Sequence, residues 1–438
     1  MSRRRREPET ARIESVMHDG RGIAALSGKK VFIAGALAGE EVRFIRRKSR
    51  RKFDEAELLE VLDASPERID ARCEAFGRCG GCALQHVTGE QQRQVKFQTL
   101  QDNLQRIGRV SAERWLEPIV GPAWNYRRRA RLAVKDVHAK GRVLVGFRER
   151  HAPFITDMHR CEVLAKPVDA MIDPLSELIG GLSISTRLPQ IEVAVADNAV
   201  ALVFRVLDTP SVADEALLRA FADAHGVRIY LQTGGLDSIE LLHPEEIDEA
   251  LYYSLPEFDI RIEFDPVDFV QINSEVNQGM VSLVVELLAP DADDRVLDLY
   301  CGLGNFSLPL ARKAGVVLGV EGEPTLVTAA AHNASINGLS NIDFRVADLD
   351  RIDGGESWLR EGWDSVLLDP ARTGAAEIVK HMHVVDARRI VYVSCHPGTL
   401  ARDAGTLVNE QGYRLAAAGI IDMFPHTAHV ESIAVFEK

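Results

Sequence analysis

Near the N-terminus, apolar residues alternate with polar ones in a period of two. Short runs of this kind, IESVM, KKVFIAG, EEVRFIRR and EAELLEVL, follow one another from Arg12 to about Leu62, and glycines separate them. Such alternation between glycine turns predicts short β-strands. We therefore expect residues 1–66 to form a small β-barrel of the oligonucleotide-binding type, which holds nucleic acid on a strand face.

The pattern becomes mixed over the next stretch, which we assign to a second domain at 67–265. The segment GEQQRQVKFQTLQDNLQRI has apolar residues at helical spacing, namely Val95, Leu100, Leu104 and Ile107. This spacing predicts one amphipathic helix, and we expect that helix, over 90–107, to pack on the C-terminal domain. After it, strand-like runs separated by turns predict a sheet-rich α+β region without a catalytic constellation.

From Val276 onward, apolar strands alternate with helical patterns. The predicted strands are RVLDLY, GVVLGVEG, IDFRVAD, DSVLLDP and RIVYVSC, followed by YRLAAAGIIDMF and SIAVFEK. This alternation predicts a doubly wound parallel sheet, which binds its ligands at the carboxyl ends of the strands. We assign it to a third domain at 266–438.

Composition and charge restrict the partners. The net charge of -13 argues against indiscriminate binding of nucleic acid, but Arg46 to Lys52 and Arg127 to Arg131 are local basic blocks. Each block is a site for RNA contact or simply a solvated face. No apolar run approaches the roughly 18 residues that span a bilayer, and no apolar stretch follows the basic start. We therefore expect a cytoplasmic protein without a membrane partner.

A glycine turn marks the predicted ligand site. The segment DLYCGLGNFSL leaves a predicted strand, turns on Gly302 and Gly304, and enters a helix, while Glu321 ends the next strand. Such glycines let a nucleotide approach the backbone, and an acidic residue placed like Glu321 binds ribose hydroxyls. The loop lacks the full dinucleotide fingerprint, so it fits S-adenosylmethionine at least as well as a nicotinamide cofactor. A plain strand-to-helix turn is the alternative.

Two further strand ends carry reactive groups. Asp369 ends a strand in LLDPARTG, and Cys395 ends another in VSCHPGTLARD. A thiol at this edge can meet a bound substrate, and a helix that begins near Thr399 favours its thiolate form. The alternative is a small buried apolar residue, which is the usual state of a free cysteine.

Methylation of carbon 5 of uracil is a reaction that needs such a thiolate. Carbon 5 is a poor nucleophile, but addition of a thiolate to carbon 6 creates an enolate that can attack a methylsulfonium. A base must then remove the carbon 5 proton. In PHTAHVESI we predict Glu431 as this base, with His426 and His429 as weaker alternatives, although a surface role for Glu431 is the commoner fate of such a residue.

A cysteine cluster stands apart from this chemistry. Cys73, Cys79 and Cys82 lie close together, and Cys161 is the remaining candidate for a fourth ligand because Cys301 lies inside the glycine turn. Four thiolates suit a four-iron cluster or a structural zinc ion. The long first gap favours iron and sulfur, and His86 is a reserve ligand.

Several of these segments match a known family. The matches are HDGRGIA from His18, the cysteine cluster, DFVQIN from Asp268, DLYCGLGNF, LLDPARTG, SCHPGTLARD and HVES, in family order over nearly the whole chain. The chain thus resembles the bacterial uracil-5 RNA methyltransferases, and within them the 23S ribosomal RNA type that carries a TRAM barrel and an iron-sulfur cluster.

The resemblance implies a multidomain enzyme: an N-terminal TRAM barrel, a central α+β region with a [4Fe-4S] cluster, and a C-terminal Rossmann-like domain. It implies methylation of carbon 5 of a specific uridine in 23S ribosomal RNA with S-adenosylmethionine, with Cys395 as nucleophile and Glu431 as base. It further implies a cofactor site at Gln271, Tyr300, Asn305, Glu321, Asp348 and Asp369, and a cluster bound by Cys73, Cys79, Cys82 and Cys161.

This chain departs from the family at two loops, reading DPAR and SCHP where the family commonly has DPPR and SCNP. The changes put local loop geometry and rate in doubt. The alternatives are an enzyme that methylates a nitrogen or an oxygen of RNA, and a non-catalytic iron-sulfur RNA-binding or ribosome assembly protein. We expect ribosomal RNA as partner rather than transfer RNA or DNA, and a monomer.

Overall fold

The computed structural model describes residues 7–17, 19–150 and 152–438, so His18 of the HDGRGIA segment lies outside the described residues. The first six strands form one sheet in the order β1-β5-β6-β4-β3-β2. They are β1 Glu9–Arg12, β2 Ser15–Val16, β3 Arg21–Leu26, β4 Lys29–Ala34, β5 Glu41–Ser49 and β6 Phe53–Asp63. Strand β1 pairs with β5 and also contacts β3, so the sheet curls around its own apolar core.

Acidic side chains neutralise most of the basic block on β5. Arg46 forms ion pairs with Glu9 and Asp54, and Arg47 forms one with Glu57. Lys48 is the third basic residue of the block on β5, and its side chain is exposed. The strand ends at Ser49, and the turn at 50–52 carries the other three basic residues beyond the sheet, also with exposed side chains. Within the described residues, the uncompensated positive charge of this domain is therefore concentrated at the turn between β5 and β6.

The central region contains a six-stranded sheet in the order β13-β12-β11-β10-β8-β9, and helix α3 makes the crossover between the parallel strands β11 and β12. A separate hairpin consists of β14 and β15. The elements are β8 Arg129–Val137, β9 Arg142–Gly146, α2 Ile172–Gly181, β10 Gln190–Val195, β11 Val200–Arg205, α3 Val212–His225, β12 Val227–Gln232, β13 Ile239–His243, β14 Leu251–Leu255 and β15 Ile260–Phe264.

The C-terminal region contains an eight-stranded sheet in the order β18-β17-β16-β19-β20-β22-β21-β7. Its elements are α4 Ser274–Leu288, β16 Arg295–Leu299, α5 Ser307–Ala311, β17 Val316–Glu321, α6 Pro324–Ile336, β18 Ile342–Val346, β19 Ser365–Leu368, α7 Met382–Val385, β20 Arg389–Ser394, α8 Pro397–Asn409, β21 Arg414–Ile421 and β22 Glu431–Glu437. Strands β16 to β20 are parallel, as predicted, but β22 runs antiparallel between β20 and β21.

Both faces of this sheet are buried. Val296 of β16 packs into the core that contains α4, α5 and α6, whereas the next residue, Leu297, packs into the core that contains α7 and α8. Neighbouring side chains of a strand point to opposite faces, so near-continuous apolar strands require helices on both sides. The doubly wound Rossmann-like architecture is therefore present.

A segment from before the central sheet also belongs to this C-terminal layer. It consists of α1 Gly89–Asn103, a π-helical turn Leu104–Gly108 and β7 Arg114–Trp115. Strand β7 pairs with β21 at the edge of the sheet, and α1 packs on β21 and α8. The helix ends earlier than the sequence predicts. Its buried stripe also differs, because Gln92, Lys96 and Leu100 face inward while Ile107 is exposed.

The helices are short throughout. The longest described helices, α1 and α4, have 15 residues each. No helix among the described residues combines the length and the apolar character needed to cross a membrane.

Candidate active site

A cavity of about 1560 Å³ opens at the carboxyl ends of β16, β17, β19 and β20. This is the edge at which a doubly wound sheet binds its ligands. All residues predicted as nucleophile, base or cofactor contacts line this cavity except Asp348; they are Gln271, Tyr300, Asn305, Glu321, Asp369, Cys395 and Glu431. The structure thus brings together residues that lie far apart in the sequence.

The turn after β16 shapes one wall. Tyr300 adopts a left-handed backbone with φ 66°, and Gly302 and Gly304 follow with φ 53° and 92°. A tyrosine in this region is uncommon and marks a locally constrained turn. The carboxylate of Glu321 accepts hydrogen bonds from the N–H of Gly302 at 3.2 Å and of Gly322 at 2.7 Å. These bonds hold Glu321 at the cavity and leave lone pairs for ribose hydroxyls.

Asn305 connects the turn to the central region. Its Oδ1 accepts hydrogen bonds from the hydroxyl of Tyr253 and from Nδ2 of Asn277, both at 2.9 Å, and its Nδ2 donates to Oδ1 of Asn277 at 3.0 Å. Tyr253 belongs to β14 and lines the cavity. The sequence does not single out this residue, because a tyrosine in a short hairpin carries no local signal of chemistry.

Asp348 lies outside the cavity. It follows β18 on an exposed loop, its side chain is 60% exposed, and it forms an ion pair with Arg351 at 3.4 Å. Its charge still acts on Tyr300, since it contributes to raising the pKa of that hydroxyl. The structure therefore places Asp348 near the rim of the site and not among the groups that line it.

Two buried carboxyls hold protons tightly. Burial raises the pKa of Asp369 to about 8, and the nearby Glu431 adds to this effect. Burial also raises the pKa of Asp298 to about 7, although Ser307 donates a hydrogen bond to that carboxyl. Asp298 begins the glycine-turn segment, but its place in the sequence does not indicate a role. Only the structure shows that its side chain is fully buried.

Cys395 and Glu431 lie at the ends of two paired strands. Ser394 of β20 pairs with Ser432 of β22 in antiparallel register; Cys395 follows Ser394 and Glu431 precedes Ser432, and both residues line the cavity. Burial raises the pKa of Glu431 to about 7, against the opposing effect of Lys96 and Arg372.

The surroundings of the Cys395 thiol oppose its ionisation. Burial raises its pKa to about 11, the carboxyls of Glu431 and Asp369 add to this, and Arg372 opposes it. Thiolate formation is favoured when those carboxyls carry protons, because the repulsion then disappears.

The SCHP loop keeps a helix cap. Nδ1 of His396 accepts a hydrogen bond from the N–H of Thr399 at 3.2 Å, and Pro397 occupies the first position of α8. This is the bond that an asparagine cap makes. The departure from the family's usual asparagine therefore preserves the start of the helix behind Cys395.

The two histidines before Glu431 have different surroundings. His429 lines the cavity, and burial lowers its pKa. His426 stacks on Trp124 with ring centroids 3.9 Å apart and contacts Gln92 through Nδ1 at 3.2 Å. His426 does not line the cavity, so only His429 remains beside Glu431 as an alternative base.

The four predicted cluster ligands line a second cavity of about 360 Å³ in the central region, beside Arg127 and Phe147; they are Cys73, Cys79, Cys82 and Cys161. Burial raises the pKa of Cys82 to about 11 and that of Cys161 to about 12. His86 does not line this cavity. No group of three or more His, Cys, Asp or Glu side chains in the described ranges is arranged to hold a single metal ion.

Known proteins resemble this chain over its full length. It is 49% identical over 432 residues to the 23S rRNA (uracil(1939)-C(5))-methyltransferase RlmD of Methylococcus capsulatus, covering 99% of this chain and 97% of that protein. RlmD of Alkalilimnicola ehrlichii is 49% identical over 442 residues, with 100% and 99% covered. The chain belongs to the RNA uracil-C5 methyltransferase family.

Two further comparisons agree with membership of the uracil-C5 methyltransferases. The family described as tRNA (Uracil-5-)-methyltransferase matches residues 237–438. The solved structure of the Pyrococcus abyssi tRNA (uracil-54, C5)-methyltransferase, in complex with S-adenosyl-L-homocysteine, has a TM-score of 0.74 and 25% identity, covering 98% of this chain and all of that one. The family resemblance inferred from the motifs is confirmed.

Proposed function

We propose that this protein transfers a methyl group from S-adenosylmethionine to carbon 5 of a uridine in 23S ribosomal RNA. The observation that carries the proposal is the convergence of Cys395 and Glu431 on one cavity beside a glycine turn. The names of the relatives support carbon 5 as the target, rather than nitrogen or oxygen, and 23S ribosomal RNA as the substrate. The same names specify uracil 1939, which we propose as the target position.

The reaction begins with the thiolate of Cys395. Its sulfur forms a bond to carbon 6 of the uracil, and the electrons of the carbon 5–carbon 6 double bond move into the carbonyl to give an enolate. Carbon 5 then attacks the methyl group, the bond between methyl and sulfonium breaks, and S-adenosylhomocysteine leaves. Cys395 lines the same cavity as the glycine turn, which supports this attack.

Glu431 completes the reaction as the base. Its carboxylate takes the proton from carbon 5, the electron pair restores the double bond, and the bond between sulfur and carbon 6 breaks to release the thiolate. A pKa of about 7 suits this role, because a base works best when its pKa lies near the working pH.

The cofactor is held by the turn after β16 and its neighbours. We assign ribose contacts to Glu321 and further contacts to the cavity-lining side chains Gln271, Tyr300, Asn305 and Asp369. For Asp348, which lies outside the cavity, only its electrostatic effect on Tyr300 supports a place near the cofactor. The complex of the Pyrococcus abyssi relative with S-adenosyl-L-homocysteine supports a site for this class of ligand in the shared fold.

The N-terminal domain at 1–66 acts as a TRAM barrel that contacts RNA. The central domain at 67–265 carries the cluster, and the domain at 266–438 is the catalytic one.

A stacked uracil is out of reach of Cys395, so the target base must be extruded into the cavity. The relatives are bacterial, and bacterial ribosomal RNA is made in the cytoplasm, so we place the activity there.

The four cysteines of the central cavity fit a [4Fe-4S] cluster. Their thiols converge on one space beside the guanidinium of Arg127, which offsets negative charge. Four cysteines suit both a four-iron cluster and one zinc ion, and the long gap between Cys73 and Cys79 favours the cluster. Bound there, the cluster supplies a crosslink between the loop at 73–82 and Cys161, since methyl transfer moves no electrons.

Two substitutions test the function. C395A is expected to abolish formation of 5-methyluridine, because no bond to carbon 6 can form. E431Q is expected to add to the RNA but not to release it, so a covalent protein–RNA adduct accumulates. Denaturing electrophoresis with labelled RNA detects the adduct, and mass spectrometry detects the nucleoside. Full turnover by C395A contradicts the proposal.

A further inference from the structure

The loop between β21 and β22 is fastened from outside the C-terminal sheet. It covers residues 422–430 and ends directly before Glu431. The backbone N–H groups of Ala83 and Leu84 both donate to the carbonyl oxygen of His426, at 2.8 and 2.9 Å. The loop that leads into the predicted base therefore has anchors that the sheet does not provide, in addition to the pairing of Glu431 itself with Ile421 of β21.

Helix α1 supplies the other contacts to this loop. The N–H of His426 donates to Oε1 of Gln92 at 2.8 Å. One turn later on the same face, Nζ of Lys96 donates to Oδ1 of Asp422 at 2.7 Å and to the carbonyl oxygen of Phe424 at 2.9 Å. Lys96 is 1% exposed, so its ammonium group lies entirely inside the protein.

We propose that Lys96 is a positioning residue for the proton-abstraction step: its ammonium group holds Asp422 and the carbonyl oxygen of Phe424, so it fixes the loop before Glu431 and places a buried positive charge behind the cavity. The inference rests on the function proposed above, because it concerns the departure of the carbon 5 proton. Lys96 acts from behind the cavity, which it does not line.

Several titratable and charged groups face Glu431 from the elements around it. They are Lys96 of α1, Asp369 and Arg372 after β19, Cys395 after β20, Asp422 after β21 and His429 of the loop itself. Of these groups, Lys96 and Arg372 carry a positive charge that favours ionisation of Glu431.

Burial separates the effects of these two cations. Arg372 is exposed, so water and salt screen its charge, whereas Lys96 acts through the protein interior, where a charge has a longer reach. Burial lowers the pKa of Lys96, and the contact with Asp422 opposes this. Asp422 thus keeps the ammonium group charged, and Lys96 is the main buried counter-charge for Glu431.

The test separates addition from release. Wild-type protein and K96M are mixed with labelled S-adenosylmethionine and unmodified 23S ribosomal RNA. The adduct is followed by denaturing electrophoresis and free 5-methyluridine by mass spectrometry, from pH 6 to 9. We expect K96M to form the adduct within about threefold of the wild-type rate, but to release it about fivefold more slowly at pH 7, because a rise of one unit from a pKa of about 7 lowers the ionised fraction of Glu431 from about one half to about one tenth.

The pH profile distinguishes a charge effect from a loss of structure. The release defect of K96M is expected to vanish near pH 9, where Glu431 is ionised without help, and K96R is expected to restore release at pH 7. Q92A removes an uncharged contact to the same loop, so any defect it has is independent of pH. K313M, at an exposed lysine in the turn between α5 and β17, is the matched control.

Since K96M leaves Asp422 buried without a partner, the double variant K96M/D422N is measured beside it, with circular dichroism to verify folding. It is expected to keep the slow release at pH 7. Release at the wild-type rate by a folded variant, or a defect equal at pH 7 and 9, overturns the inference. Absence of 5-methyluridine with wild-type protein instead overturns the proposed function.

Discussion

At the scale of single residues, the candidate active site holds carboxyl groups in an environment that favours their protonated form. Glu431, Asp369 and Asp298 all have raised pKa values because burial removes the water that stabilises their charge. Such groups destabilise the folded state wherever the unfolded chain ionises more readily. The arrangement that suits proton transfer therefore has a measurable cost in stability.

E431Q tests this cost. Burial raises the pKa of Glu431 to about 7 in the folded protein, whereas the unfolded chain releases this proton near the ordinary value of 4.5. Stability from this group is thus full below pH 4.5 and is lost as the pH rises through 7. We expect E431Q, free of ligands, to be more stable than wild type at pH 8 by on the order of 1–3 kcal/mol. The advantage should disappear at pH 4.5 in denaturant titrations; an equal advantage at both values contradicts this account.

His396 provides a second prediction at this scale. Its Nδ1 caps α8 by accepting the N–H of Thr399. Loss of a capping side chain costs about 1 kcal/mol, so H396A is expected to lower the free energy of unfolding by that amount. H396N restores a side chain of the preferred capping type and should remain within about 0.5 kcal/mol of wild type. Urea denaturation followed by tryptophan fluorescence compares the two, and equal stabilities contradict the capping role.

At the scale of elements, α1 shows where reasoning from the sequence stops. The helix itself follows from the spacing of Val95, Leu100 and Leu104. Its buried face, however, also contains Gln92 and Lys96, whose burial depends on partners more than 300 residues away, as the separation of 326 between Lys96 and Asp422 shows. A pattern of apolar residues cannot reveal a polar residue that a distant loop satisfies.

The π-helical turn that follows α1 packs closely against α8, and this close packing can be tested. A Cβ added at Gly108 lies 2.3 Å from the carbonyl oxygen of Ala401, a distance that no real Cβ tolerates. G108A must therefore push the two segments apart, and we expect a loss of about 1–3 kcal/mol in unfolding free energy. The matched control is G180A, because Gly180 lies in α2 with its nearest neighbour at 3.9 Å. Thermal melts compare them, and a G108A protein as stable as G180A refutes the close contact.

The turn between β5 and β6 gives a prediction about RNA. Because Arg46 and Arg47 are paired with carboxylates, the turn residues Arg50, Arg51 and Lys52 are the ones available to phosphates. Each Ala substitution at the turn is expected to weaken RNA binding and to reduce the salt dependence of log K by about one. R47A, measured by the same filter-binding titrations, should change the slope less. A slope unaffected by the turn variants contradicts this surface.

At the scale of the whole molecule, the cysteine cavity and the active site are joined through the loop at 422–430. Ala83 and Leu84 follow Cys82 directly and hold His426. We expect C161S to lose iron and the visible absorbance of an iron-sulfur cluster, and to slow release of methylated RNA more than formation of the adduct. Metal analysis and the adduct assay check both parts. Stoichiometric zinc without iron in the wild-type protein contradicts the assignment of the cluster.

The sequence predicts which residues converge at the candidate active site better than it predicts how the strands and loops around that site are arranged. Cys395, Asp369 and Glu321 follow apolar strands, and strand ends of a parallel sheet meet at one edge, so their convergence is predictable. The antiparallel insertion of β22 is not, because strand direction leaves no trace in the apolar pattern. Tyr253 and Asp348 show the same limit: one approaches the cavity from a distant hairpin, and the other stays outside it.

The placement of β7 and α1 has a consequence for building chimaeras. This segment completes the C-terminal sheet although the whole central sheet follows it in the sequence. A fragment that starts at 266 exposes the outer edge of β21, a template for unwanted strand pairing, and leaves Asp422 without its cation. A chimaera that takes the catalytic domain from this protein should therefore include residues 88–119 together with residues 266–438.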